Sequence, residues 1–373
     1  MVKTQLSSLE IAALINEFQV LINSKIDQIY QPAKKELIIN FHIPRKGKQL
    51  LKIQLPNFIY FTEQKPSMLP PPDFCLILRK HLNNSIIKKV SQLKSERIIE
   101  IELQKKDTFK LIIELFSKGN IILINSQNQI IALLERQKWG TRELKLKVKY
   151  DPPPESFDWL NTTQENIKKQ IKKSQKEKIV TTLAAEMGLG GAYAEEVCFL
   201  TKINKTKKPK TLEETEIKEI FKTINHFKKQ IQEPTGMIYQ GTNITPLELT
   251  TLSEIKKEQL PTYNQALNKI LGKGLLEIEK EEKEAKFNQK AKKIKKIIQE
   301  QVIRIQKLEN QEKISTQKAE QIYENYQEIK DFLEKVKLAK EKYSWTEIEN
   351  QLKNIKKIKQ INLKEKKISL QLK

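Results

Sequence analysis

The sequence predicts a multidomain α+β protein: a β-rich amino-terminal domain, then a helix-hairpin-helix domain, then an antiparallel coiled-coil hairpin. Three observations carry this expectation. Up to Leu134, apolar and β-branched residues recur in short runs separated by turn signals; near Gly190 a Gly-Leu-Gly-Gly sequence joins two helical patterns; from Phe287 a four-three apolar rhythm sets in. A chain of 373 residues is long enough to hold several cores.

Taken in order, residues 9–22 carry Ile11, Leu14, Ile15, Phe18, Val20, Leu21 and Ile22 at largely helical spacing, with Ser7 or Ser8 as the cap. Strands are expected over residues 36–43, 49–55, 58–61, 97–103, 108–116, 120–125 and 129–134. Turn sequences such as Arg45-Lys46-Gly47 and Lys118-Gly119-Asn120 space them as an antiparallel meander needs. Between the strand groups, Pro70-Pro71-Pro72 introduces a helix over residues 73–82, with Phe74, Leu76, Ile77 and Leu78 facing inward. Tyr150-Asp151-Pro152-Pro153-Pro154 ends the module, because successive prolines neither donate to a ladder nor sit inside a helix.

The expected limits are therefore 1–154 for the first domain and 155–178 for a Lys-rich linker with a short surface helix. Residues 179–232 form the helix-hairpin-helix domain, 233–274 an irregular β connector around Met237-Ile238-Tyr239, and 275–345 the coiled coil. In the coiled coil, Phe287, Ala291, Ile294, Ile298, Gln301, Ile305 and Leu308 make one arm. Ile322, Tyr326, Ile329, Leu333, Val336, Lys340 and Tyr343 make the other, and the polar residues 309–317 are the expected turn. Each arm would be about 40 Å long. Dimerisation through the same seam is the competing arrangement. Residues 346–373 extend the middle domain, and Ile368, Leu370 and Leu372 look like a single strand.

Lys and Arg number 69 against 46 Asp and Glu, a formal charge of +23, so the long-range field attracts polyanions and nucleic acid is the leading partner class. A merely solvated Lys-rich surface is the plainer alternative. Cys75 and Cys198 sit apart in apolar stretches, as buried thiols do in a reducing compartment. No apolar run approaches the roughly 18 to 20 residues of a membrane span, and a signal-peptide pattern is missing, so no membrane partner and a cytoplasmic location are expected. Three histidines without Cys or His pairing give no metal ligand set, and no cofactor is expected. No nucleophile with its base, P-loop or dinucleotide fingerprint has the required spacing. The expectation is a binding factor, not an enzyme.

Pro71-Pro72-Asp73-Phe74, Leu78-Arg79-Lys80-His81-Leu82, the run from Ile112 through Ser117-Lys118-Gly119-Asn120 to Leu123, and Tyr150-Asp151-Pro152-Pro153 resemble the corresponding stretches of the NFACT family of ribosome-associated quality-control factors. Tyr263-Asn264-Gln265-Ala266-Leu267, Ala319-Glu320-Gln321-Ile322-Tyr323 and Ser344-Trp345-Thr346-Glu347-Ile348 are similar to the family's entry to and return from its coiled coil. The resemblance covers nearly the whole chain in order. It implies binding to large ribosomal subunits that hold an obstructed peptidyl-tRNA, and recruitment of an aminoacyl-tRNA, with tRNA for alanine the expected species, for tailing without mRNA. Peptide bonds would then be made by the ribosome. A separately encoded NFACT-R polypeptide is a further expected partner, since this chain ends at Lys373. The first domain also resembles the amino-terminal domain of formamidopyrimidine-type DNA glycosylases. Their catalysis needs an amino-terminal Pro beside a Glu, whereas this chain begins Met1-Val2-Lys3, so the alternative reading is a nucleic-acid binder without glycosylase activity.

The resemblance assigns tRNA binding to Glu96 and Arg97 at the start of a strand and to Glu10 in the first helix; both acids are Asp in the family, one methylene shorter. Physically, Arg97 can grip a phosphate or base edge bidentately while a carboxylate holds its fork, against the plainer reading of a surface ion pair. Arg79, Lys80, His81, Arg136 and Arg142 are candidates for backbone contacts, although His81 alone reads more readily as a structural histidine. Gly188, Gly190 and Gly191 would let turn amides and a helix amino end hold a phosphate, or would only permit a tight αα turn.

Overall fold

The computed structural model describes residues 3–64, 70–140, 142–154, 156–352, 355, 358–362 and 367–370. They fall into two units, residues 1–278 and 279–373.

The first unit opens with helix α1 (Ser8–Phe18), started by a capping box in which Ser7 Oγ accepts from the Glu10 amide and the Glu10 carboxylate accepts from the Ser7 amide. Strands β1 (Lys25–Ala33), β2 (Glu36–Ile43), β3 (Gly47–Gln54) and β4 (Phe58–Thr62) follow, then helix α2 (Asp73–Leu82). Five more strands complete the sheet: β5 (Ile86–Gln92), β6 (Ile98–Gln104), β7 (Thr108–Glu114), β8 (Asn120–Asn125) and β9 (Ile130–Leu133). The order is β4-β3-β2-β1-β5-β6-β7-β8-β9, two antiparallel meanders joined where Lys25 pairs with Ile86. Helix α2 touches both β1, in the middle of that order, and β9 at its end, so the sheet curls around it. Cys75, Leu78 and Leu82 make the buried stripe of α2. Leu76 and Ile77, expected to face inward, are 48% and 38% exposed because they fall on the opposite side of the helical turn.

The expected division after Pro154 lies inside this unit. Beyond the short hairpin β10 (Gln137–Trp139) and β11 (Arg142–Leu144), the chain returns to the first core. Trp159 is fully buried there and donates Nε1–H to Ser8 Oγ at 2.9 Å. Helix α3 (Gln164–Lys173) sends Ile167 and Ile171 into the same core. Next come α4 (Ile179–Thr181), a π-helical turn (Thr182–Glu186), α5 (Gly191–Leu200) and α6 (Glu214–Gln230). The connector is more regular than expected: β12 (Gly236–Tyr239) is the middle strand between β13 (Asn243–Thr245) and β14 (Lys257–Leu260). Gly236 permits a close approach, since a Cβ there would lie 2.4 Å from the Thr262 carbonyl oxygen.

Helix α7 (Tyr263–Glu324) is rooted in this unit by its first turn. The two carboxylate oxygens of Glu17, from α1, accept from the Tyr263 and Asn264 amides at 2.7 and 2.9 Å. Asn264 in turn accepts from the Phe61 amide at 2.6 Å, so the helix end is pinned to β4 as well.

In the second unit, the reversal expected over residues 309–317 is helix instead: α7 runs on unbroken to Glu324. The segment holds no Gly or Pro, and Glu312 and Ser315 continue the four-three steps from Leu308 to Ala319, so nothing in it stops a helix or shifts its stripe. The break comes at Asn325, whose amide still donates to the Gln321 carbonyl, and α8 (Tyr326–Lys342) follows directly. Ile294, Ile298, Ile305, Leu308, Ile322, Tyr326 and Leu333 are all about half exposed or more, so the expected seam between two arms is uncovered. Phe287, at the start of that seam, lies outside the described side chains. Helix α9 (Trp345–Leu352) packs on α8, and β15 (Ile358–Asn362) pairs with β16 (Lys367–Leu370). The carboxy-terminal strand is thus half of a hairpin; Leu372 lies outside the described residues. Among the described residues, no helix is long and apolar enough to cross a membrane.

Candidate nucleic-acid interface

Residues far apart in the sequence meet in a cavity of about 380 Å³ in the first unit, lined by Lys3, Gln5, Glu10, Arg97, Gly188, Gly190, Gly191 and Tyr193 among others. It brings together three of the expected groups: the early acid, the strand-start arginine and the glycine turn.

Arg97 precedes β6, and its backbone carbonyl accepts from the Leu115 amide at 2.8 Å, which ties it to the start of the strand ladder. Its side chain passes between the amino-terminal segment and the β3–β4 turn. Nη1 donates to Gln5 Oε1 at 3.0 Å and Nη2 to the Pro56 carbonyl at 3.4 Å, while the buried Nε–H has no acceptor. Burial lowers the pKa of the guanidinium and the nearby Glu10 carboxylate raises it again. It stays charged at neutral pH.

Glu10 is 1% exposed and fully engaged. Oε2 accepts from the Ser7 amide, while Oε1 accepts from Tyr193 Oη at 2.7 Å and from Lys3 Nζ. The acid therefore holds together the amino-terminal segment and α5 instead of projecting toward a ligand. Tyr193 is wholly buried, and its phenol is pushed far up by burial and then by Glu10, so it remains a donor.

Gly188 and Gly190 have φ of 76° and 89°, the left-handed region that L side chains rarely adopt, and a Cβ on Gly190 would lie 3.1 Å from Ser7 Cβ. Gly190 offers α5 no side-chain cap. Gly191 and Ala192, whose first-turn amides have no acceptor within the helix, line the cavity beside Arg97 and Lys3. Lys3 is paired with Glu10 in the same lining, so Arg97, with the amides of a helix amino end, is what favours an oxyanion here, and phosphate matches these donors in number of acceptors.

The other candidates lie elsewhere. Glu96 turns away from Arg97, as neighbours at a strand start do, and accepts from the Ser156 amide at 3.1 Å and from its hydroxyl. It fastens the segment after the prolines and does not orient the arginine. Arg142 is 7% exposed, ion-paired with Glu114, bonded to the Asp151 carbonyl at 2.6 Å and stacked near Trp139 and Tyr150, so it is an internal strut. Arg79 donates Nε–H to the Ile29 carbonyl at 2.7 Å and lies over the Tyr30 ring. His81 meets Phe109 edge-on, and burial followed by Lys80 and Lys105 lowers its pKa, so it is neutral at neutral pH. Lys80 and Arg136 are exposed and free of the cavity. Lys3, Gln5 and Tyr193 belong to the site without having stood out in the sequence; the Ser7-x-x-Glu10 capping pattern was the one local signal that Glu10 faces its own backbone.

Comparison with known proteins adds the lineage. Residues 7–371 match the family model described as NFACT N-terminal and middle domains. The Rqc2 homologue aRqcH of Methanocaldococcus jannaschii is 27% identical over 365 residues, covering 93% of this chain and 54% of that protein. Ribosome quality control complex subunit 2 of Saccharomyces cerevisiae is 25% identical over 293 residues, covering 74% of this chain and 27% of its own. The chain thus spans about half the length, or less, of these relatives. Among solved structures, the amino-terminal part of the fibronectin/fibrinogen-binding protein of Streptococcus suis has the same fold, with a TM-score of 0.59 and 20% identity over 71% of this chain and 98% of that one. By the match over nearly its whole length, the chain belongs to the family of NFACT N-terminal and middle domains.

Proposed function

We propose that this chain is a ribosome-associated quality-control factor that binds tRNA, with the cavity at Arg97 as the point where it grips the RNA backbone. One observation carries the reading: Arg97 and the uncapped start of α5, far apart in the sequence, line one concave surface in which the acid, Glu10, is already paired with Lys3. Family membership supports it, as does the ribosome quality control in the names of relatives. In this reading the large ribosomal subunit holding an obstructed peptidyl-tRNA is the platform. The chain recruits a tRNA, with tRNA for alanine the expected species, and the ribosome forms the peptide bonds of the tail. The chain contributes position and charge, not reacting groups.

The excess of cationic residues draws RNA in from a distance, and the cavity fixes one phosphate in register. Arg97→Ala should abolish tRNA co-purification while the melting temperature stays within a few degrees of the parent, since the side chain's own partners are Gln5 and one carbonyl. Recovery of tRNA undiminished by the substitution would remove Arg97 from the interface.

A further inference from the structure

A second concave surface draws on the same loop that carries Arg97, through Lys94. Its volume is about 380 Å³, and Lys94, Ser156, Asp158, Asn166, Lys169 and Lys173 are among its lining residues. Helix α3 divides its residues among three faces. Ile167 and Ile171 enter the core; Lys168 pairs with Glu214, and Lys172 donates to the Lys210 and Leu212 carbonyls. Asn166, Lys169, Gln170 and Lys173, at i, i+3, i+4 and i+7, are left to line the groove. Lys169 and Lys173 are exposed and have no ion-pair partner among the described residues.

The one acid in the groove is already occupied, because Asp158 accepts from Ser95 Oγ at 2.6 Å and from the Asn161 side chain at 3.0 Å. Those bonds, with the Glu96 to Ser156 contacts, fasten the groove to the same short loop, Lys94 to Arg97, from which Arg97 reaches the first cavity. We infer that this groove is a second seat for the RNA backbone, taking consecutive phosphates on Lys169 and Lys173 while Arg97 holds another. One helical turn sets the two lysines about 6 Å apart along the axis, close to the separation of neighbouring phosphates on a strand. The inference rests on the tRNA-binding reading of the Arg97 cavity and adds a path to it.

The test uses the full chain and tRNA binding measured across a salt series. Replacing both lysines, Lys169→Ala with Lys173→Ala, should weaken binding and make the slope of log affinity against log salt shallower by about 1.5, the loss of two phosphate contacts. The melting temperature should not change, as both side chains are exposed. An unaltered slope and affinity, in a protein whose Arg97→Ala counterpart has lost binding, would overturn the groove and leave the first cavity standing. A parent chain that retains no tRNA even at low salt would sink both. Equal binding of a poly-glutamate peptide, lost in the double variant, would reassign the groove to an acidic protein partner and likewise overturn the inference.

Discussion

At the scale of single residues, the informative contrast is between Arg97 and the acids near it. Glu10 has the position the family resemblance assigns to a tRNA-binding acid, yet its oxygens are taken by Lys3, Ser7 and Tyr193. In the proposed tRNA site its role is therefore indirect: it fixes the amino-terminal segment and α5 beside Arg97. Tyr193→Phe should remove one hydrogen bond to a buried carboxylate and cost about 2 kcal/mol of stability, read from denaturant melts. tRNA affinity should fall less than in Arg97→Ala, because Lys3 and the Ser7 amide still hold the acid. The types of residue at this site were legible in the sequence, but their directions were not. Glu96 and Arg97 are adjacent at a strand start and point apart, which a linear reading of an Asp-Arg-like pair does not reveal. Likewise Arg142 reads as a surface cation until Glu114, Trp139 and Tyr150 are seen to enclose it.

At the scale of elements, strands were legible where apolar, β-branched residues ran together between turn signals. β2 and β8, nearly unbroken apolar runs, coincide with their expected limits, whereas β1, interrupted by Gln28, Gln31 and Pro32, and β5, interrupted by Lys88 and Lys89, were hidden. The joint between α1 and α7 was also hidden, since it depends on a carboxylate 246 residues away from the amide it caps. That carboxylate has a pH signature. Burial pushes the Glu17 pKa up to about 7, against the pull of the Asn264 and Tyr263 amides, from an ordinary value of 4.5. A raised carboxyl pKa means the folded state binds the proton more tightly than the unfolded state. Its stabilising contribution is complete below the ordinary value and is lost as pH rises through about 7. Thermal melts between pH 5 and pH 8 should show falling stability across that window, and Glu17→Gln, which cannot ionise, should flatten the dependence. A parent profile already flat there would remove Glu17 as its source.

At the scale of the molecule, the α+β class followed from pattern, while the β1–β5 joint in the sheet and the partition into units did not. Prolines at residues 152–154 suggested a boundary, but they redirect the chain over a core that it goes on to complete. Composition reports where a chain cannot pair, not where its packing ends. The best marker of that completion is Trp159, sealed against α1 with its indole nitrogen on Ser8. The residue is a built-in optical gauge. With Trp139 and Trp345 replaced by Phe, ultraviolet emission from the remaining indole would be blue-shifted while the post-proline segment is seated and would drift red as it lifts. A spectrum red from the outset would show the segment undocked in solution. Because Asp158, which lines the groove, directly precedes this indole in the chain, the same signal offers a label-free readout of whether added RNA tightens or loosens that seat.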